Sequence, residues 1–524
     1  MRIDASGFAD TRARDRRGRA APRLTKPRAI RYVESAGRLR ATLFARSIAC
    51  TATSPRSTGR GLGDRRVTTK AAPRARIDIS RVVDESRIGG FQLGVYLLCG
   101  AALIMDGFDV QSWGYVAPSV FAEWQMPSAA GRVGSTALFG LLLGLICFSM
   151  LADRIGRRPV LIGTTIYFGV LTLLTAQVGS LDQLLVVRFL AGFGLGATMP
   201  NAMALVSEYS PKRARVTTML IVSSAFTIGA AVAGFVAAWL IPNFGWRAVF
   251  YVGGTLPLLI GVAMWLALPE SMQYLTLKRK RLDDVGRWIA RIAPNVARPA
   301  EADYVVAEEP GKGVPIVQLF HDGRAPATAL LWIVMFMNLL NIYFLATWLP
   351  TIAREMGFGT SAAVLVGTTL QVGGTIGAFV LGPPIRRFGF FVVLALIFVA
   401  AAASIAAIGQ SPTAALLFGV VFVAGFGVLG GQAALNALAA SFYPTSLRAT
   451  GVGAASGVGR TGSVLGPLLA EIMRSRWTTE QLFFAAAVPA LISAVAIMSM
   501  RPAMRRTQNG ALHNAAHGAP IAER

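Results

Sequence analysis

The sequence predicts an all-α polytopic membrane protein with twelve transmembrane helices in two six-helix repeats. Of its 524 residues, 54% are hydrophobic and 15% charged, against about 25% charged in a soluble globular chain. A window of about 19 residues finds a series of apolar stretches long enough to cross the roughly 30 Å hydrocarbon layer. A motif in the first half also recurs in the second at a fixed offset.

The apolar stretches fall at about 91–121, 133–151, 159–179, 183–206, 216–241, 247–268, 328–350, 362–384, 389–409, 412–437, 449–473 and 481–500. A polar stretch at 269–327, carrying Lys278 to Arg281, Asp283, Asp284, Glu308 and Glu309, separates the first six from the last six. The chain therefore divides into a basic extension (1–75), a first six-helix half (76–268), a central loop (269–327), a second half (328–500) and a tail (501–524). The repeat links the halves: AGFG at 191–194 returns at 424–427, an offset of 233. The same offset sets Pro211 over Pro444, Arg215 over Arg448, Gly229 over Gly462 and Arg154 over Arg387, with no gap. Repeated halves with a site between them at the bilayer midplane are the usual plan of secondary transporters.

Loop charge sets the orientation, because short cytoplasmic loops retain Lys and Arg. ADRIGRRP after span two, SPKRAR after span four, IRRFG after span eight and RPAMRR after span twelve all lie on one side. Both termini and the central loop are thus expected in the cytoplasm, with the protein in the inner membrane. The first 80 residues hold 20 Lys or Arg against 6 Asp or Glu. Residues 1–75 read as a disordered extension from a translation start assigned too early, Val67 being an alternative. Residues 77–92, IDISRVVDESRIGGFQ, read as a short amphipathic helix lying at the cytoplasmic face.

Several function classes are set aside. Cys50, Cys99 and Cys147, with His321, His513 and His517, form no ligand spacing, and no metal or other cofactor is expected. The GxG patterns lie in apolar helices with no preceding strand, which excludes a dinucleotide fold, and no GxxxxGK[ST] phosphate loop occurs. Neither an enzyme nor a nucleic-acid-binding protein is expected.

Charged residues inside the spans point to transport. Asp106 and Asp109 sit in span one, where a carboxylate costs roughly 2.5–3.5 kcal/mol at the bilayer centre. At i and i+3 they share a helix face and can look into one polar cavity. Like charges one turn apart share proton and charge rather than ionise independently. Asp109 is expected to carry the coupled proton and Asp106 to tune it; two carboxylates on one face make a second proton possible, and import is expected to depolarise the membrane. Arg188 and Arg460 are the arginines well inside spans, one per half. Either can grip a substrate carboxylate through two parallel hydrogen bonds. Arg460 is the candidate anchor, and Arg188 can instead pair with Asp109 or Asp106. Glu208, at the end of span four, is expected to pair locally with Arg213 and Arg215.

These residues resemble the major facilitator superfamily over about 76–500. LADRIGRRP at 151–159 is similar to its signature between helices two and three. The resemblance implies that Asp153, Arg154, Gly156, Arg157 and Arg158 form a gate latch in the outward-open state, and that Arg188 partners acidic groups in proton coupling. Arg386 stands where the second half would repeat Asp153. Within the superfamily the chain resembles the aromatic acid:proton symporters. That resemblance rests on DGFD at 106–109 followed by Tyr115-Val116-Ala117-Pro118, on MPNAMALVSEYSP at 199–211, on Ala346 to Pro350, and on GVGRTGSVLGP at 457–467. It implies a monomer importing a 4-hydroxybenzoate-like acid with protons. Phe108, Trp113, Tyr115, Phe226, Tyr343 and Trp348 then become candidate walls for the ring. Asn201, Asn338, Asn341, Gln371, Gln432 and Asn436 become candidate partners for its polar groups. Efflux by the same fold, an aliphatic acid such as a muconate, and a transport-dead sensor remain the alternatives.

Overall fold

The computed structural model describes residues 76–294, 303–306, 316–321, 323–411, 413–444 and 447–516, with backbone alone at 449 and from 503 onward. The extension 1–75 and the acidic pair Glu308 and Glu309 lie outside the described residues. The chain is almost wholly helical. The first half comprises α2 (Gly90–Glu123), α3 (Ala130–Ile155), α4 (Arg157–Thr175), α5 (Leu181–Leu195) with α6 (Thr198–Tyr209), α7 (Arg215–Phe244) and α8 (Arg247–Ala267). It is preceded by β1 (Arg76–Asp78) and α1 (Ile79–Glu85), and followed by α9 (Met272–Leu277), α10 (Leu282–Ile292) and β2 (Asp303–Val305). The second half comprises α11 (Ala325–Glu355), α12 (Thr360–Val380), the short α13 (Gly382–Phe388), α14 (Phe390–Ile408), α15 (Ala414–Phe442), α16 (Arg448–Arg474) and α17 (Thr479–Ala516).

Among the described residues, eleven helical stretches are long and apolar enough to cross a membrane, α5 and α6 counting as one. The expected eleventh span, α16, is long enough at 27 residues but falls short in apolarity. Its glycines and Arg460 lower the hydropathy because much of this helix faces other helices. Span four is two helices, broken at Gly196 and Ala197 where the chain crosses α3; a Cβ on Gly196 would lie 2.3 Å from the Leu141 carbonyl oxygen. The last helix continues well beyond the expected boundary at 500, so the tail begins as helix.

The 233-residue repeat reappears as packing. A Cβ on Gly140 or Gly192 would meet the carbonyl oxygens of Phe189 and Ala137 at 2.2 and 2.0 Å. Their repeat mates Gly373 and Gly425 meet Phe422 and Leu370, each the counterpart of the first pair, at 2.3 and 2.1 Å. The α3–α5 and α12–α15 crossings are therefore the same close backbone contact built twice, which only glycine permits.

The central loop is partly structured. β1 pairs in parallel with β2, Ile77 opposite Tyr304. Asp78 caps α1 by accepting from the Ser80 amide at 3.0 Å. Ile79 and Val83 are 1% exposed and pack with Met272 and Leu275 of α9 and Val285 and Ile289 of α10. Burying each contributes at most about 1.5–3 kcal/mol. The amphipathic helix expected within 77–92 is present as the shorter α1, and protein covers its apolar face. Asp84 pairs with Arg215 at 2.5 Å and Arg213 donates to the Ser86 carbonyl at 3.2 Å, fastening this segment to the loop after α6.

Candidate transport site

Asp106 and Asp109 part company. Three residues on a helix turn through about 300°, so two such side chains diverge by about 60°. Here that divergence is enough to give them different surroundings, which corrects the expectation of one shared cavity. Asp109 turns into the first half. Its Oδ1 accepts from Arg188 Nη1 at 3.1 Å and from Thr172 Oγ1 at 2.7 Å, while Arg188 Nη2 lies 3.1 Å from Oδ2. Both side chains are sealed, at 0% and 2% exposure, and the guanidinium also stands 5.8 Å from the Phe250 ring centre. Thr172 carried no signal in the sequence, because threonines are common in these helices.

Asp106 turns the other way, into a cavity of about 230 Å³ between the halves. Arg460 and Tyr343 face it from the second half, with Gln432, Asn436 and Ser456; Phe226, Met199 and Leu339 supply apolar wall. Asp106 Oδ1 is buried without a hydrogen-bond partner. Arg460 makes no ion pair among the described residues, and its charge acts on Asp106 across the cavity. Gln432 is oriented by both neighbours: its Oε1 accepts from Asn338 at 2.8 Å and its Nε2 donates to Asn436 at 3.1 Å.

Several expected cavity residues lie elsewhere, because filling helix crossings claims large side chains first. Phe108 packs toward Gly253 of α8. Trp113 donates to the Ala130 carbonyl at 2.9 Å and packs edge-on against Phe121. Tyr115 donates to the Ala230 carbonyl at 3.2 Å. Trp348, fully buried, donates to the Pro467 carbonyl at 2.9 Å beneath the Arg474 guanidinium. Asn341 is buried with neither end of its amide satisfied and does not line the cavity. Asn201 bonds its own helix at Ala197, and Gln371 donates to Gln111.

The two ends of the molecule differ. At the end opposite the arginine-rich loops the halves are joined. Arg132 gives Glu471 both its backbone amide, at 2.7 Å, and its guanidinium, at 2.6 Å. Ser135 donates to the Val464 carbonyl and Gln111 to that of Ala346. A Cβ on Gly114 would lie 2.2 Å from the Ala346 oxygen. At the basic end no hydrogen bond or ion pair joins the halves among the described residues. Asp153 there is exposed and makes neither.

The rest of the signature serves the first half. Gly156 has φ +107°, a left-handed-region value, and a Cβ there would meet Glu270 Oε2 at 2.3 Å. That close approach lets Glu270 accept from the amides of Arg157 and Arg158 at 3.0 Å each, and of Ser271 at 2.8 Å, capping the N-terminus of α4. Arg154 accepts from the Tyr274 hydroxyl through its carbonyl. Glu208 pairs with Arg157 and accepts from Ser271 Oγ at 2.6 Å, which overturns its expected pairing with Arg213 and Arg215. Those arginines are drawn instead to α1 and to backbone carbonyls. A lone acid closing span six was the available sign of Glu270's role.

A family model described as Major Facilitator Superfamily matches residues 99–463 and 331–523. The chain is 35% identical to the 4-hydroxybenzoate transporter PcaK of Pseudomonas putida, over 80% of this chain and 95% of that protein. It is 35% identical to a gallate transporter of the same species, over 81% and 95%. Among solved structures, a bacterial homolog of the human lysosomal transporter Spinster, inward-facing and unoccupied, superposes with a TM-score of 0.60 at 17% identity, covering 82% of this chain and 99% of that one. Helical halves, glycine crossings and a charged cavity between the halves are thus joined by sequence identity along most of the length. The chain belongs to the Major Facilitator Superfamily and, within it, to the family of aromatic acid transporters.

Proposed function

We propose that this protein imports a single-ring aromatic carboxylate together with one proton, by alternating access, as a monomer in the inner membrane. The observation that carries the reading is the cavity in which Asp106 faces Arg460 with Tyr343 and Phe226 beside them. At about 230 Å³ it is smaller than the ~300–1,000 Å³ typical of drug-sized pockets, which suits one ring and its carboxylate. By the loop charges the basic end, where no hydrogen bond or ion pair joins the halves among the described residues, is the cytoplasmic one.

The chemistry follows from charge balance. Arg460 is a permanent cation, and Asp106, facing it across the cavity, is the group whose charge can change to balance it. A substrate carboxylate that takes the guanidinium leaves two anions around one cation in a desolvated space. Neutrality returns when Asp106 takes up a proton. Substrate and proton then load together and leave together. Asp109, already held by Arg188 and Thr172, fixes the position of α2 rather than exchanging the proton. This reverses the division of labour expected from sequence.

Uptake of radiolabelled 4-hydroxybenzoate and benzoate by cells expressing the chain, at external pH from 5 to 8, tests substrate and coupling together. Accumulation that rises with acidity and collapses with a protonophore supports the reading. Accumulation indifferent to both, or none of either acid, refutes it.

A further inference from the structure

A second basic site lies outside the transport cavity. At the basic ends of α2, α4 and α8, under the lid formed by α10, is a cavity of about 570 Å³. Arg158, Arg281, Arg287 and Arg291 line its polar side together with Trp288 and Phe91; Val95, Leu98, Leu266 and Leu268 line its apolar side. A neighbouring cavity of about 440 Å³ shares Arg158 and Arg281 and adds Lys280. The two carboxylates present are already engaged: Asp284 by Arg281 and Arg287, and Glu270 by three backbone amides. Two cations are left over. Arg291 has no carboxylate partner among the described residues and rests 5.7 Å from the Phe91 ring centre. Arg158 donates to the Trp265 carbonyl through Nη2, but its Nε is buried with no partner.

The surroundings say what kind of anion fits. Nothing stands within 4 Å of a Cβ position on Gly90 or Gly94, so that wall is open. Beside it Leu97, Trp265 and Leu266 are 65%, 64% and 75% exposed, a surface that faces hydrocarbon in a spanning protein. Guanidiniums without a carboxylate partner at the basic end of the helices, a tryptophan beside them and an apolar slot leading to the exposed apolar surface match one molecule with a phosphate at one end and an acyl chain at the other. We propose that this cavity binds the phosphate of an anionic glycerophospholipid from the leaflet at the basic end, so that lipid braces α10 against α2 and α8.

Native mass spectrometry of the full chain, titrated in detergent with phosphatidylglycerol or phosphatidylcholine, tests this. Phosphatidylglycerol should be retained in preference to phosphatidylcholine. Arg291→Gln and Arg158→Gln should each reduce that preference about fivefold, while Arg387→Gln, at the basic end of the second half, leaves it intact. Thermal unfolding of Arg291→Gln in phosphatidylcholine alone should match the wild type, separating lost binding from lost folding. Equal retention of the two lipids, or full preference in a folded Arg291→Gln, overturns the proposal. Displacement of the lipid by equimolar glycerol 3-phosphate overturns it as well, marking a site for free phosphate anions.

Discussion

Arg188 holds Asp109 in a fully buried ion pair, Nη1 donating to Oδ1 at 3.1 Å and Nη2 to the Asp109 backbone carbonyl at 3.4 Å, while Asp106, one turn earlier on the same helix, faces the central cavity and makes no ion pair among the described residues. Neutralising one member of the pair strands the other as a buried charge, which costs about 3–5 kcal/mol. Asp109→Asn and Arg188→Gln should each lower the thermal unfolding temperature in detergent by several degrees, and the double variant should recover most of the loss. A double variant less stable than either single one would show that the two do not act as a pair.

Asp106 calls for a different outcome. Asp106→Asn keeps the volume and removes the proton carrier, so accumulation against a gradient should vanish while exchange of internal for external substrate continues. Counterflow in proteoliposomes separates the two activities; active accumulation by this variant would disprove the assignment.

Loss of a charge-assisted hydrogen bond costs about 1.5–3 kcal/mol, hence Arg460→Gln should raise the transport KM about 10- to 100-fold, and Arg460→Lys by less. Unchanged KM with lowered maximal rate would move the substrate carboxylate elsewhere.

A monoanion entering with one proton moves no net charge and gains nothing from the membrane potential, worth about 2.3 kcal/mol per charge per 100 mV. Import into proteoliposomes should therefore follow the pH gradient and ignore an imposed potassium-diffusion potential. Accumulation driven by potential alone would require a second proton and return Asp109 to the coupling step.

The lid helix α10 should respond to acid. Burial raises the Asp284 carboxyl, but Arg287 and Arg281 outweigh it and leave it below the ordinary value. A depressed carboxyl stabilises above its unfolded value and loses that contribution as pH falls through the folded one. Protection of the amides across 282–292, measured relative to the intrinsic exchange rate at each pH, should thus stay high at neutral pH and fall only below the usual aspartate range. Asp284→Asn should show that low protection at every pH.

Legibility followed the kind of physics involved. Hydrophobic length and the fixed-offset motif were enough for the spans, because a bilayer forces every crossing to be apolar and helical. The exception, α16, is instructive: Arg460 and its glycines make it too polar by composition, and they are there because the helix faces the cavity and its neighbours. Asp106, Asp109, Arg188 and Arg460 stood out because an intramembrane charge is costly wherever it points. The aromatic residues did not separate in this way. Trp113 and Trp348 look as suited to a ring site as Tyr343, yet their indole N–H groups bond carbonyls at helix crossings.

The sequence by itself determined the membrane class, the two halves, the fixed-offset repeat and the short set of charges worth attention, since each depends on composition or spacing along one chain. Tertiary structure decided which aspartate meets Arg188 and which meets Arg460, that Glu208 turns to Arg157, and that the halves close at Arg132 and Glu471. Those outcomes depend on the rotation of each helix about its axis, and about 60° separates a side chain in the cavity from one in the wall. No single helix encodes that angle; it is set by the neighbours packed around it.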